Sequence, residues 1–175
     1  MAGLGQNDRE AARLYKLAAE QGVAVAQLNL AKFHMQCRGG LAQDAGQAAR
    51  LYRLAADQGL AEAQGRLGAM YAEGRGGLAQ DDRQAANWYR KAADQGEAPA
   101  QGLLGTMYSL GKGVPQDYVQ AHMWLNLAAA RGLPYAANCR DFVTAEMTPA
   151  QIAEAQRLAE EWKPTAAGGA PASKP

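Results

Sequence analysis

The chain is poor in the residues on which several architectures depend. Only Cys37 and Cys139 carry thiols among 175 residues, too few for a disulfide scaffold, so both are expected to be free. Aromatic residues make up 7% and valine, isoleucine and threonine are sparse, which argues against a sheet. The two histidines, His34 and His122, have no second ligand at helical spacing with an acidic partner, so no metal site and no cofactor is expected. No apolar run reaches the roughly 18 residues of a membrane span. Residues 1–8 lack the basic and apolar regions of a signal peptide. As written the chain is therefore expected in the cytoplasm, or in the periplasm or outside the cell if its N-terminus is a truncation. Charge of either sign is also lacking in excess: 18 basic residues stand against 17 acidic ones, interspersed, which leaves no footprint for nucleic acid or an anionic membrane.

What is abundant is alanine, leucine, glutamine, arginine and glutamate, whose side chains lose little rotamer freedom in a helix. An all-α chain follows. Self-comparison then reveals a repeat. The segment from Asp44 to Gly59 aligns with that from Asp81 to Gly96, 37 residues on, and a third copy starts at Asp117, 36 residues further, where Lys112-Gly113-Val114-Pro115 replaces a longer loop.

Each copy reads as two helices. In the first, Ala63, Leu67, Met70 and Tyr71 recur at i, i+4, i+7 and i+8; in the second, Ala85, Trp88, Tyr89, Ala92 and Ala93 recur at i, i+3, i+4, i+7 and i+8. Both patterns bury one helical face. Asn7, Asp44, Asp81 and Asp117 stand where a side-chain oxygen caps the second helix, and Gly22, Gly59, Gly96 and Gly132 stand where a left-handed residue ends it. Gly39-Gly40, Gly76-Gly77 and Gly113 make the turn inside each pair. Paired alanines at 55-56, 92-93 and 128-129, with Gly68 and Gly105, let backbones approach closely, while Leu51, Tyr52, Trp88, Tyr89, Trp124 and Leu125 fill the space between layers.

The run from Ala100 to Gly132, Ala-Gln-x-x-Leu-Gly-x-Met-Tyr-x-x-Gly-x-Gly-Val-x-Gln-Asp followed by Ala-x-x-Trp-x-x-x-Ala-Ala-x-x-Gly, resembles the Sel1-like repeat (SLR) family, a variant of tetratricopeptide-like helical hairpins. The resemblance implies a right-handed α-α superhelix whose first helices line a concave side. It organises residues 1–163 as a half repeat (3–27), three repeats (28–64, 65–101, 102–138) and capping helices (139–163), with a disordered tail over 164–175.

The ends differ from the middle. Gly3 to Asn7 mirrors Gly40 to Asp44, so the first helix of the first pair is expected to be missing and its apolar edge uncovered, open to edge-to-edge self-association. At the other end, residues 135–146 read as a degenerate first helix. Thr148-Pro149-Ala150-Gln151 then reads as a helix start with a capping box, and Ile152, Ala155, Ala159 and Trp162 share one face of the final helix. Its Met-Thr-Pro-x-Gln-Ile opening resembles the usual ending of bacterial SLR proteins.

Little in the sequence points to chemistry. Ser109-Leu110-Gly111-Lys112 matches the S-x-x-K nucleophile motif, and some relatives of the resembled family carry a β-lactamase label, but Gly111 interrupts the helix and Lys112 occupies the repeat position of Arg38 and Arg75. The glycines between 105 and 113 have the wrong spacing for a phosphate loop. Cys37, in the place of Gly74 and Gly111, is expected to be a structural thiol, with only Arg38 nearby to lower its pKa.

Three first-helix positions change between copies while their neighbours repeat: Asn29/Arg66/Leu103, Lys32/Ala69/Thr106 and Gln36/Glu73/Leu110. Their spacing of three and four places them on one stripe away from the core. With the resemblance, this stripe is the floor of a concave groove graded from polar and basic to apolar. The expected function is therefore a non-catalytic adaptor that binds a protein or peptide there. The alternative is a secreted or periplasmic SLR protein acting on cell-wall material, as a β-lactamase-like hydrolase or a peptidoglycan binder.

Overall fold

The computed structural model describes the backbone of residues 2–166 and the side chains of residues 6–166. Among them are nine helices and no strand: α1 (Ala2–Glu20), α2 (Ala24–Gln36), α3 (Ala45–Asp57), α4 (Ala61–Glu73), α5 (Asp82–Asp94), α6 (Ala98–Leu110), α7 (Tyr118–Ala130), α8 (Pro134–Ala145) and α9 (Pro149–Glu161). Each helix from α1 to α8 packs on its neighbours in sequence, which makes an all-α solenoid with α2, α4, α6 and α8 as first helices and α1, α3, α5 and α7 as second helices. Of the tail expected to be disordered, residues 164–166 are described and Thr165 donates its N–H to the Asp94 carbonyl at 2.8 Å, while the remainder lies outside the described residues.

The caps are where local chemistry requires them. The carboxylates of Asp44, Asp81 and Asp117 accept from the N–H groups of Gln47, Gln84 and Gln120 at 2.9–3.0 Å, which fixes the starts of α3, α5 and α7. Thr148 and Gln151 form the full capping box of α9. Asn7 departs from the expectation: it lies inside α1 and caps nothing. The three aspartates are held out of the helix because their own N–H groups reach back to the carbonyls of His34, Tyr71 and Tyr108 on the preceding first helix. Asn7 has no such helix among the described residues, and the helix extends back through it.

Close backbone approach explains the small residues. A Cβ on Gly68 would sit 2.9 Å from the Tyr89 ring, and one on Gly105 would sit 2.8 Å from Leu125, so the contacts α4·α5 and α6·α7 require glycine. Around them Leu67, Leu104 and Leu125 are fully enclosed, with Tyr52, Trp88 and Tyr89 nearly so. Polar groups tie successive layers. The Gln64 amide donates to the Ala56 carbonyl (3.2 Å) and its oxygen accepts from Gln95 (2.8 Å); Gln27 does the same with Ala19 and Gln58. Arg53 and Arg90 each donate to a tyrosine hydroxyl of the next first helix, Tyr71 and Tyr108, and lie over its ring. Arg38 and Lys112 reach back to Asp8 and Asp82 on the previous second helix.

The last helix does not continue the stack. It folds back onto α7, where Ala155 and Ala159 are buried and Trp162 meets Trp124 edge-on at 6.1 Å. Two substitutions explain this: Met123 and Leu127 stand where α5 has Asn87 and Lys91, which makes a second side of α7 apolar. The far side of α8 refuses a partner for the opposite reason. Asp141 occupies the position of Gly68 and Gly105, and its side chain and charge bar the close approach that a second helix needs.

Candidate functional site

The side chains of the variable stripe emerge from α2, α4 and α6, the helices whose opposite faces form the core. Lys32, Gln36, Arg66, Ala69 and Glu73 come together around one groove of about 190 Å³, floored by Met35, Tyr52 and Met70. Arg66, Ala69 and Leu103 also line an adjoining groove of about 210 Å³ with Glu62, Tyr89, Glu97 and Pro99. Asn29 and Thr106 are half-buried outside both grooves, the Thr106 hydroxyl donating to the Gly102 carbonyl. Leu110 stands beyond them at the end of α6, 66% exposed, against 38% for Leu103.

The charges between the two grooves form a linked set. Glu62 reaches Lys32 across the repeat boundary at 2.7 Å and Arg66 one turn along its own helix at 3.4 Å. Burial alone would raise the Glu62 carboxyl, but the two cations outweigh it and hold the group below its ordinary value. Glu97 is pushed the other way: burial raises it, opposed by the hydrogen bond it accepts from the Ala100 N–H at the start of α6. Tyr89, beneath the second groove, is pushed up to about 12 by burial. Glu62 was missed in the sequence because only its spacing to Arg66 is legible there; the link to Lys32 exists only once α2 and α4 are stacked. Tyr52 and Met70, expected in the core, are buried there and also form the floor of the first groove, while Met35, packed against the same cluster, had not been singled out in the sequence.

The residues weighed for chemistry are otherwise engaged. The Ser109 hydroxyl donates to the Thr106 carbonyl and Lys112 pairs with Asp82 at 3.5 Å, so the S-x-x-K residues each serve the repeat. Cys37 corrects its expectation as a packing thiol: it is exposed and takes the left-handed conformation (φ +54°) in which its counterparts are glycine. Among the described residues no cluster of metal-ligating side chains occurs, and no helix is long and apolar enough to cross a membrane.

A stack of two-helix layers with a continuous core, tied by repeating polar contacts, defines an α-solenoid of the repeat-protein class. The Sel1 repeat family model matches four times, at residues 2–23, 24–60, 61–97 and 98–133, so the chain belongs to the Sel1 repeat family. It is similar, at 34% identity and a TM-score of 0.78, to a protective antigen present in uropathogenic Escherichia coli strains and displaying an SLR fold, over 86% of this chain and 32% of that one. It is also similar to a Sel1 repeat protein from Oxalobacter formigenes, at 38% identity and a TM-score of 0.66, over 73% of this chain and 94% of that one. The chain thus spans about a third of the length of the Escherichia coli protein. No curated protein matches it.

Proposed function

We propose that this protein is a non-catalytic adaptor that holds an extended segment of another protein along the concave face formed by α2, α4 and α6. The observation that carries the reading is the pair of adjoining grooves: one rimmed by Lys32, Arg66 and Glu73, the next by Arg66 and Leu103. A bound segment with an acidic residue near Lys32 and Arg66 and an apolar residue near Leu103 would match this gradient. Family membership supports a scaffold role, since repeats of this class expose long surfaces for partners rather than enclosed sites for reactions.

The test is a peptide-display selection on the immobilised protein, followed by anisotropy measurements on the selected peptides. Each exposed leucine buried by a partner contributes about 1–2 kcal/mol, so Leu103→Ser with Leu110→Ser should weaken binding tenfold or more while helicity and melting stay unchanged. Removing residues 163–175 should matter less. Selected peptides that bind the double variant as well as the parent, yet lose affinity when Leu14 and Tyr15 are replaced without unfolding, would place the working surface at the N-terminal edge instead.

A further inference from the structure

On the opposite side from the stripe, successive second helices leave a furrow between them, and the three furrows are filled differently. Between α3 and α5 the indole of Trp88 fills the middle of the furrow, covered by Lys91 with its ammonium 4.1 Å from the ring, and a polar pocket of about 430 Å³ lined by Asp57, Asp94 and Gln95 remains at its C-terminal end. Between α5 and α7 the equivalent residues are Trp124 and Leu127, and there α9 lies on the surface, Trp162 against Trp124 and the Thr165 N–H bonded to the Asp94 carbonyl at the end of α5. Between α1 and α3 the same two positions are Leu51 and Leu54. Leucine is too small to fill the furrow as tryptophan does, and a groove of about 680 Å³ is left open, with Leu30 at its base. Leu54 is 52% exposed on its wall.

We infer that this α1/α3 groove is a second docking site, independent of the concave face, for one amphipathic helix of a partner protein whose apolar face resembles that of α9 and whose flanks are acidic. The helical form follows from the chain itself, which seats α9 on α7 with Ala155 and Ala159 buried and with Leu158 and Trp162, at its end, packed in the cluster that holds Trp124 and Leu127. The acidic flank follows from charge. Arg9, Arg13 and Lys16 line the α1 side, where Glu20 is the single acidic residue; Arg13 also pairs with Glu10 on the exposed surface. The corresponding residues of α3, which form the same side of the next furrow, are Gly46, Arg50 and Arg53, of which Arg53 is engaged with Tyr71. Both Leu54 and the basic rim therefore depart from the next repeat in the direction of binding an acidic, apolar helix.

The test uses the full chain and a fluorescein-labelled synthetic peptide of residues 148–162, which carries the required apolar face and three glutamates against one arginine. Saturable binding is expected, weakening with added salt and at least tenfold weaker for Arg13→Glu with Lys16→Glu. It is expected to vanish in Leu51→Trp with Leu54→Lys, the pair that the next repeat already carries, so that this variant should fold and melt no lower than the parent. Three results would overturn the inference: no saturable binding to the parent, binding unaffected by the tryptophan-lysine pair, or sedimentation of the protein alone showing a dimer that the same pair abolishes, which would make a second copy the occupant.

Discussion

Gln64 and Gln101 hold equivalent repeat positions and are both buried, yet replacing each by leucine should have opposite consequences. Gln64 is satisfied at both ends: its amide donates to Ala56 and its oxygen accepts from Gln95. Gln101 donates likewise to the Ala93 carbonyl at 3.2 Å, but its oxygen has no partner among the described residues although the side chain is 0% exposed. The cause is one substitution. Arg131 stands where the earlier copies have Gln58 and Gln95, and it turns instead to the Gly96 carbonyl and the Trp162 ring. Each net hydrogen bond contributes about 0.5–1.5 kcal/mol, whereas an unsatisfied buried acceptor costs about 1–3 kcal/mol. Gln64→Leu, which forfeits two bonds, should therefore destabilise by about 1–3 kcal/mol. Gln101→Leu forfeits one bond and removes the orphaned oxygen, so it should be neutral or stabilising by about 1 kcal/mol. Urea titrations followed by circular dichroism resolve such a difference, which corresponds to several degrees in melting temperature for a chain of this size. Equal destabilisation by the two substitutions would refute the assignment of the ladder and of its broken third rung.

Trp88→Ala should destabilise by about 3–5 kcal/mol, because the indole is buried between α3 and α5; an unchanged melting curve would contradict the repeat alignment. Cys37→Gly should raise stability by about 0.5–1 kcal/mol by relieving a left-handed backbone that glycine adopts freely at the equivalent Gly74 and Gly111, measurable as a higher urea midpoint. Burial, with Arg140 adding to it, lowers the pKa of His122, whose Nδ1 is unpaired within the core. The folded state therefore binds its proton less well than the unfolded chain, and the melting temperature should fall as pH drops through about 6.5 and below. His122→Ala, which restores the Ala86 residue of the preceding repeat, should flatten that dependence between pH 7 and 5.

Most of the repeat was legible in the residues alone, because its determinants are local or periodic. The aspartate caps, the capping box at Thr148, the left-handed glycines at φ +84° to +88° and the buried faces of both helix types depend on short-range backbone needs and on a 3.6-residue period that a single chain displays. The stripe of variable positions was legible for the same reason. How those positions assemble was not: Lys32 meets Glu62 only when two repeats stack, and Leu110, the last residue of α6, lies outside both grooves although its counterparts Gln36 and Glu73 line one of them.

The sequence by itself determined the helical class, the period, the caps and the small-residue contacts, since each follows from what a few neighbouring residues can and cannot do. The tertiary structure alone decided where the exceptions go. Asn7 lies within a helix, where no first-helix carbonyl among the described residues holds its N–H as His34, Tyr71 and Tyr108 hold those of its counterparts. The final helix chose α7 over α8 because Met123 and Leu127 offer apolar surface while Asp141 denies close approach. The α1/α3 groove stayed open because leucine fills less of an interhelical furrow than tryptophan. Each of these outcomes is a competition between surfaces far apart in sequence, and only their meeting in space settles which one wins.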